Sequence, residues 1–153
     1  MVLSPSPDDA VAQLFARAGL PAPEGRDGVR AAAFGPHVLN FQGPDGDGDL
    51  RLFLRVADVP ADPEARLALY ARLLRANAYG LGTGGGQLGV DDRESFVVLS
   101  RSFPAAGMAV ERLEGIAAAL LDLAEEIGLE AQPAMDGPPA RAAVPVAPGF
   151  VRA

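Results

Sequence analysis

At 153 residues and 49% hydrophobic content, the chain is long enough for one domain with a sizeable core; about 68% of the unfolded surface is buried at this size. A formal net charge of −7 disfavours nucleic acid as a partner, because phosphates reward a basic face. There is no Cys and all 13 basic residues are Arg, which excludes disulfides, thiolate metal sites, Cys nucleophiles, and the lysines of Schiff-base and Walker-type chemistry.

The N-terminal residues carry Pro5, Pro7, Asp8 and Asp9 instead of the basic start of a secretory leader. Ser6 is a good helix cap, Pro7 suits the first helical position, and the two Asp face the positive end of the dipole. Val11, Leu14, Phe15 and Ala18 follow at helical spacing, and Gly19 and Pro21 stop the helix. Val29 to Phe34 and His37 to Gln42 read as two strands joined at Gly35-Pro36. After the turn cluster Gly43 to Gly48, Leu50 to Val56 is the clearest strand. Leu50, Leu52, Leu54 and Val56 alternate with Arg51, Phe53 and Arg55, so the aliphatics share one face and Phe53 lies among arginines on the other.

Asp62-Pro63-Glu64 opens a second helix, capped by Asp62 and running to about Tyr79. Its apolar residues form two lines: Leu67, Tyr70 and Leu74, and Leu69 with Leu73. So wide an apolar surface suits a helix that touches two bodies, the sheet and a partner subunit. A glycine-rich joint leads to the strands Gln87 to Val90 and Phe96 to Ser102, which form a hairpin. The last helix spans about Ala109 to Ile127, its stripe being Leu113, Ile116, Ala117, Leu120, Ala124 and Ile127, and Gly128 ends it. Its longest apolar stretch, Ile116 to Leu121, is too short for a membrane span. The order α-β-β-β-α-β-β-α gives an α+β fold with a twisted antiparallel sheet over residues 1–130. Residues 131–153 read as an Ala/Pro-rich mobile tail; its Val144, Val146, Phe150 and Val151 are the residues that would dock if it adds as an extended segment.

The chemical motifs fail on context. The glycines of 80–85 match G-x-G-x-x-G, but they follow a helix and precede a strand, so no helix N-terminus meets a phosphate. Asp45, Asp47 and Asp49 begin like a calcium loop, but Leu50 and Val56 stand where Gly and Glu are required. His37 is alone, with no further zinc ligands and no nucleophile elbow around Ser95, Ser100 or Ser102. Asp91-Asp92 belongs to a turn, and Glu125 and Glu126 diverge on their helix, so general acid-base work lacks a pair. No catalytic residue, metal site or cofactor is expected.

Three blocks carry a resemblance: Leu-Leu-Arg-Ala-Asn-Ala-Tyr-Gly at 73–80, Gly-Thr-Gly-Gly-Gly-Gln-Leu-Gly-Val-Asp at 82–91, and Val-Val-Leu-Ser-Arg-Ser-Phe-Pro at 97–104. With the helix order on either side, the chain resembles class I type III secretion chaperones, the Tir-chaperone (CesT-like) family, over residues 8 to 128. The resemblance implies a cytoplasmic bacterial homodimer that is not an enzyme. It would bind the N-terminal region of a secreted effector and keep it extended for the secretion ATPase, without nucleic acid or membrane insertion. Leu14, Phe15, Phe34, Phe41 and Phe53 are then the candidates to line the effector groove. Leu69 and Leu73, as the outer side of the second helix, are with Leu88 and Val90 the candidates for the dimer interface. A dimeric protein-binding adaptor of the same fold, outside secretion, is the alternative.

Overall fold

The computed structural model describes residues 7–21, 28–43, 48–80, 82–91 and 93–131. The Ser6 cap, Asp45 and Asp47, Asp92, and the tail with Val144, Val146, Phe150 and Val151 lie outside the described residues. Three helices and five strands occur in the expected order: α1 (Pro7–Arg17), β1 (Val29–Phe34), β2 (His37–Gln42), β3 (Asp49–Asp58), α2 (Pro63–Asn77), β4 (Gln87–Val90), β5 (Phe96–Pro104) and α3 (Val110–Ala131). α2 begins as its sequence dictates, with the Asp62 carboxylate accepting from the Ala65 N–H at 2.8 Å.

The sheet order is β1-β2-β3-β5-β4, every neighbour antiparallel. The first three strands form a meander. Gly35, with φ 58°, and Pro36 make the two-residue turn between β1 and β2, the glycine-first pattern that matches strand twist. The second hairpin returns so that β5 lies against β3 and β4 becomes an edge. A bulge between Arg55 and Ala57 interrupts the β3–β5 register.

The period-two pattern of β3 does the sorting. Leu50, Leu52 and Leu54 are fully buried with Leu39, Phe41, Val97 and Leu99 on one face. α1 and α3 cover that face, α3 lying over β3 and β2 and α1 packing on α3. Leu113, Ala117, Leu120 and Ala124 supply the α3 side, with Ile116 and Ile127 half-buried at its margin. Arg17 bridges the two helices through Glu111 at 2.7 Å and Glu114 at 3.3 Å, an exposed network that adds little beside the apolar packing.

The glycine joint is a tied loop. Thr83 is buried, its Oγ1 bonding the Gly86 carbonyl at 2.7 Å. A Cβ on Gly86 would lie 3.0 Å from the Ser100 carbonyl oxygen, so only glycine allows this approach of loop to β5. Asn77, at the end of α2, reaches across with both ends of its amide: Nδ2 donates to the Leu88 carbonyl and Oδ1 accepts from the Leu88 N–H, each at 2.8 Å.

The β4–β5 turn is built around Asp91. Its carboxylate accepts from the backbone N–H of Phe96 at 2.8 Å, of Arg93 at 3.2 Å and of Ser95. Burial pushes this carboxyl up, but the N–H groups of Phe96, Ser95 and Arg93 outweigh it and hold it below the usual aspartate value. Unfolding frees a more basic carboxylate, so the turn's contribution is complete above about pH 4 and fades as pH falls through the lower folded value. Asp91→Asn is therefore expected to lower the urea midpoint at pH 7, with a smaller gap to the unsubstituted chain at pH 3. Parallel midpoint losses at both pH values would show that the charge is not what matters.

Candidate functional site

The second face of the sheet carries no helix among the described residues. Arg51 and Arg55 from β3, Ser102 from β5, and Gln87 and Gly89 from β4 are exposed on it. Two apolar side chains are nevertheless buried there: Phe53 is 3% exposed and Val98 5%, and neither joins the main core cluster. They are sheltered by long polar neighbours instead. Asn40, itself buried, donates its amide to the Phe53 carbonyl at 3.2 Å. Arg51 donates through Nε to Ser102 Oγ at 3.1 Å. Arg55 stacks 5.1 Å above the Phe96 ring and pairs with Asp58. Gln42, Arg51, Phe53, Gln87, Leu88, Gly89, Val90, Val98 and Ser100 line a shallow depression of about 180 Å³. Its floor is apolar and its rim polar, the usual chemistry of a recognition site.

The two edges of the sheet differ. On β4 the outward-facing groups of Leu88 are occupied by Asn77 and the Gly86 carbonyl by Thr83, so this edge is closed to an added strand over that stretch. On β1 the register and the Gly43 N–H to Gly28 carbonyl bond make the even-numbered residues the hydrogen-bonded partners of β2. The N–H and C=O groups of Val29, Ala31 and Ala33 therefore point away from the sheet. Ala31 and Ala33 are exposed and too small to shield the backbone, and the strand has no proline or outward lysine to discourage pairing.

The expected groove residues divide between interior and surface. Leu14, Phe15 and Phe41 are core, brought together beneath α1, with the rings of Phe15 and Phe41 edge to face and 5.5 Å apart. They offer no surface to a client in the single chain, because α1 needs those side chains to hold it to the sheet. Phe34 is half-buried at the margin of that core. Phe53 alone lies on the open face.

For α2 the two faces are reversed. Leu69 and Leu73 are 7% and 8% exposed and join the core with Leu88, whereas Leu67 and Leu74 are 69% and 72% exposed. The correction has a local cause: the Asn77 clamp on Leu88 fixes the rotation of α2 about its axis, turning Leu69 and Leu73 inward. Val90 is half-buried against the core. The residues that sequence reasoning missed are Leu67 and Leu74 as outward groups, Val98 inside a continuous apolar run, and Tyr79, which is 98% exposed.

His37 starts β2 opposite Phe34, its Nε2 buried without a hydrogen-bond partner. Among the described residues no group of three potential metal ligands occurs, and no helix is long and apolar enough to cross a membrane.

A family model described as the Tir chaperone protein (CesT) family matches residues 9–127. No curated protein matches the sequence. Among solved structures, the ExsC–ExsE complex contains a chain with TM-score 0.71 and 21% identity, covering 88% of this chain and 100% of that one. YbjN, described as a putative transcription regulator from E. coli, gives 0.61 and 19%, covering 86% and 94%. The HopA1–SchA chaperone–effector complex gives 0.60 and 17%, covering 78% and 91%. At these identities the likeness concerns the fold.

Proposed function

We infer that this chain, which belongs to the Tir chaperone protein (CesT) family, is a cytoplasmic type III secretion chaperone for a bacterial effector. It binds the N-terminal region of that effector, holds it extended and export-competent for the secretion ATPase, and works as a homodimer without cofactor or catalysis. The observation that carries this reading is the β1 edge, which pairs with no further strand among the described residues, beside an open sheet face. An extended segment added to β1 gains main-chain hydrogen bonds from Val29, Ala31 and Ala33, and its alternate side chains fall to either face of the sheet. One set meets Phe34 on the helix side; the other lies over Ala31 and Ala33 at the border of the open face, two strands short of Phe53. Apolar burial of about 200 Å² there is worth roughly 5 kcal/mol gross, less the ordering of the client. Leu14, Phe15 and Phe41 serve this site as the floor that keeps α1 and β2 in place. That ExsC and SchA are described in complexes with ExsE and HopA1 supports a protein client.

The dimer uses the outward side of α2, Leu67 and Leu74, together with the adjoining β4 residue Val90; Leu88, expected beside it, is spent in the core as Leu69 and Leu73 are. A pair of exposed leucines on one side of a helix is otherwise an association hazard.

Co-expression with the N-terminal regions of secreted effectors encoded beside this gene tests the proposal. One or a few should co-purify as a stable complex with two copies of this chain, by light scattering. If none is retained and the chain runs as a monomer at micromolar concentration, the reading falls. The likeness to YbjN favours the second reading, an adaptor of the same fold outside secretion; retention of a non-secreted protein in place of every effector would select it.

A further inference from the structure

Tyr79 stands out in backbone and side chain alike. Its φ of 58° and ψ of 9° lie in the left-handed region, which among the described non-glycine residues only Glu94 shares as a positive φ. Glycine would take this conformation without strain, and the loop that follows is rich in glycine. The chain nevertheless holds a tyrosine here and leaves its ring in water. An aromatic kept in a strained conformation without any internal contact points to a contact outside the chain.

We propose that Tyr79 of one copy seats in the Phe53–Val98 depression of a second copy, and reciprocally. This rests on the homodimer reading above and names the contact that makes it. The depression, about 180 Å³, suits one aromatic ring, since an engineered apolar cavity of roughly 150 Å³ takes up benzene. Gln42, Arg51, Gln87 and Ser100 on its rim offer hydrogen-bond partners to a phenol that an aliphatic anchor would not use. Anchor and pocket share one border of the molecule. Asn77, two residues before Tyr79, is bonded to Leu88, which lines the depression. A two-fold axis at that border exchanges both anchors at once, as an isologous contact requires.

The exposed area agrees with a second copy. Leu67, Leu74 and Tyr79, largely in water, together present a substantial share of the ~800 Å² that each partner gives in a stable interface.

The full chain with Tyr79→p-benzoylphenylalanine tests this. It is irradiated as a mixture of isotopically labelled and unlabelled copies, and the linked peptides are mapped. The expected product is an intermolecular link to Phe53 or to the segment 87–100, with Tyr79→Gly raising the dimer dissociation constant at least tenfold and Tyr79→Phe less than threefold. A dimer whose links fall on α1, β1 or the partner's α2 overturns the proposal and leaves the homodimer standing. Links to a co-purified effector instead of a second copy also overturn it. A monomer by light scattering overturns both.

Discussion

Ala31→Pro is expected to give a folded dimer that holds its effector at least tenfold more weakly. Ala31 sits mid-way along β1, and its N–H faces away from β2, so proline removes no bond from the sheet. The strand tolerates the substitution because its backbone is already extended, where proline's fixed φ is accommodated at an edge. An added client strand loses one main-chain bond outright and meets the ring where its own backbone should lie. Each such bond contributes about 1 kcal/mol net, and ~1.4 kcal/mol is tenfold in affinity, so one lost bond with the added steric block exceeds that factor. Ala31→Val, which keeps the N–H, should retain the client. The measurement is effector retention on a tagged chain with urea midpoints run in parallel. Equal retention by the proline variant and the unsubstituted chain would move the client away from β1.

The neighbouring leucines of α2 should behave oppositely. Leu73→Ala removes a buried side chain from the cluster that joins α2 to β4, and a cavity of this kind costs about 2–5 kcal/mol. Its urea midpoint should fall sharply. Leu74→Asp alters a side chain that is largely in water, which by itself changes monomer stability by only about 0.5 kcal/mol. Its circular dichroism should be that of the unsubstituted chain, while light scattering gives a monomer. Reversed results, with Leu74 supporting the fold and Leu73 the association, would mean that α2 is rotated from the orientation described.

The contrast between these two residues also marks how far the sequence reaches. The alternation of Leu50, Leu52, Leu54 and Val56 with Arg51, Phe53 and Arg55 states in advance which face of β3 is core, because a strand's side chains have a period of two and only one set is apolar. The cap at Asp62, the turn at Gly35-Pro36 and the stripe of α3 are legible for the same reason: each is a local rule with a local signal. Leu14, Phe15 and Phe41 show the limit. An aromatic destined for a core and one destined for a groove have the same hydrophobicity, and their neighbours in sequence do not tell them apart. α2 is the sharper case. Its two apolar lines are equivalent as patterns, so hydrophobic periodicity does not select Leu69 and Leu73 over Leu67 and Leu74. Asn77 selects them, by gripping Leu88 eleven residues away. That contact, and the placing of β5 between β3 and β4, leave β1 as the receptive edge and close β4. By itself, then, the chain's order of residues determined the elements, the core face of β3 and the family. Only the tertiary structure decided which leucines face outward and which edge is open, because both depend on hydrogen bonds between segments that local periodicity does not connect.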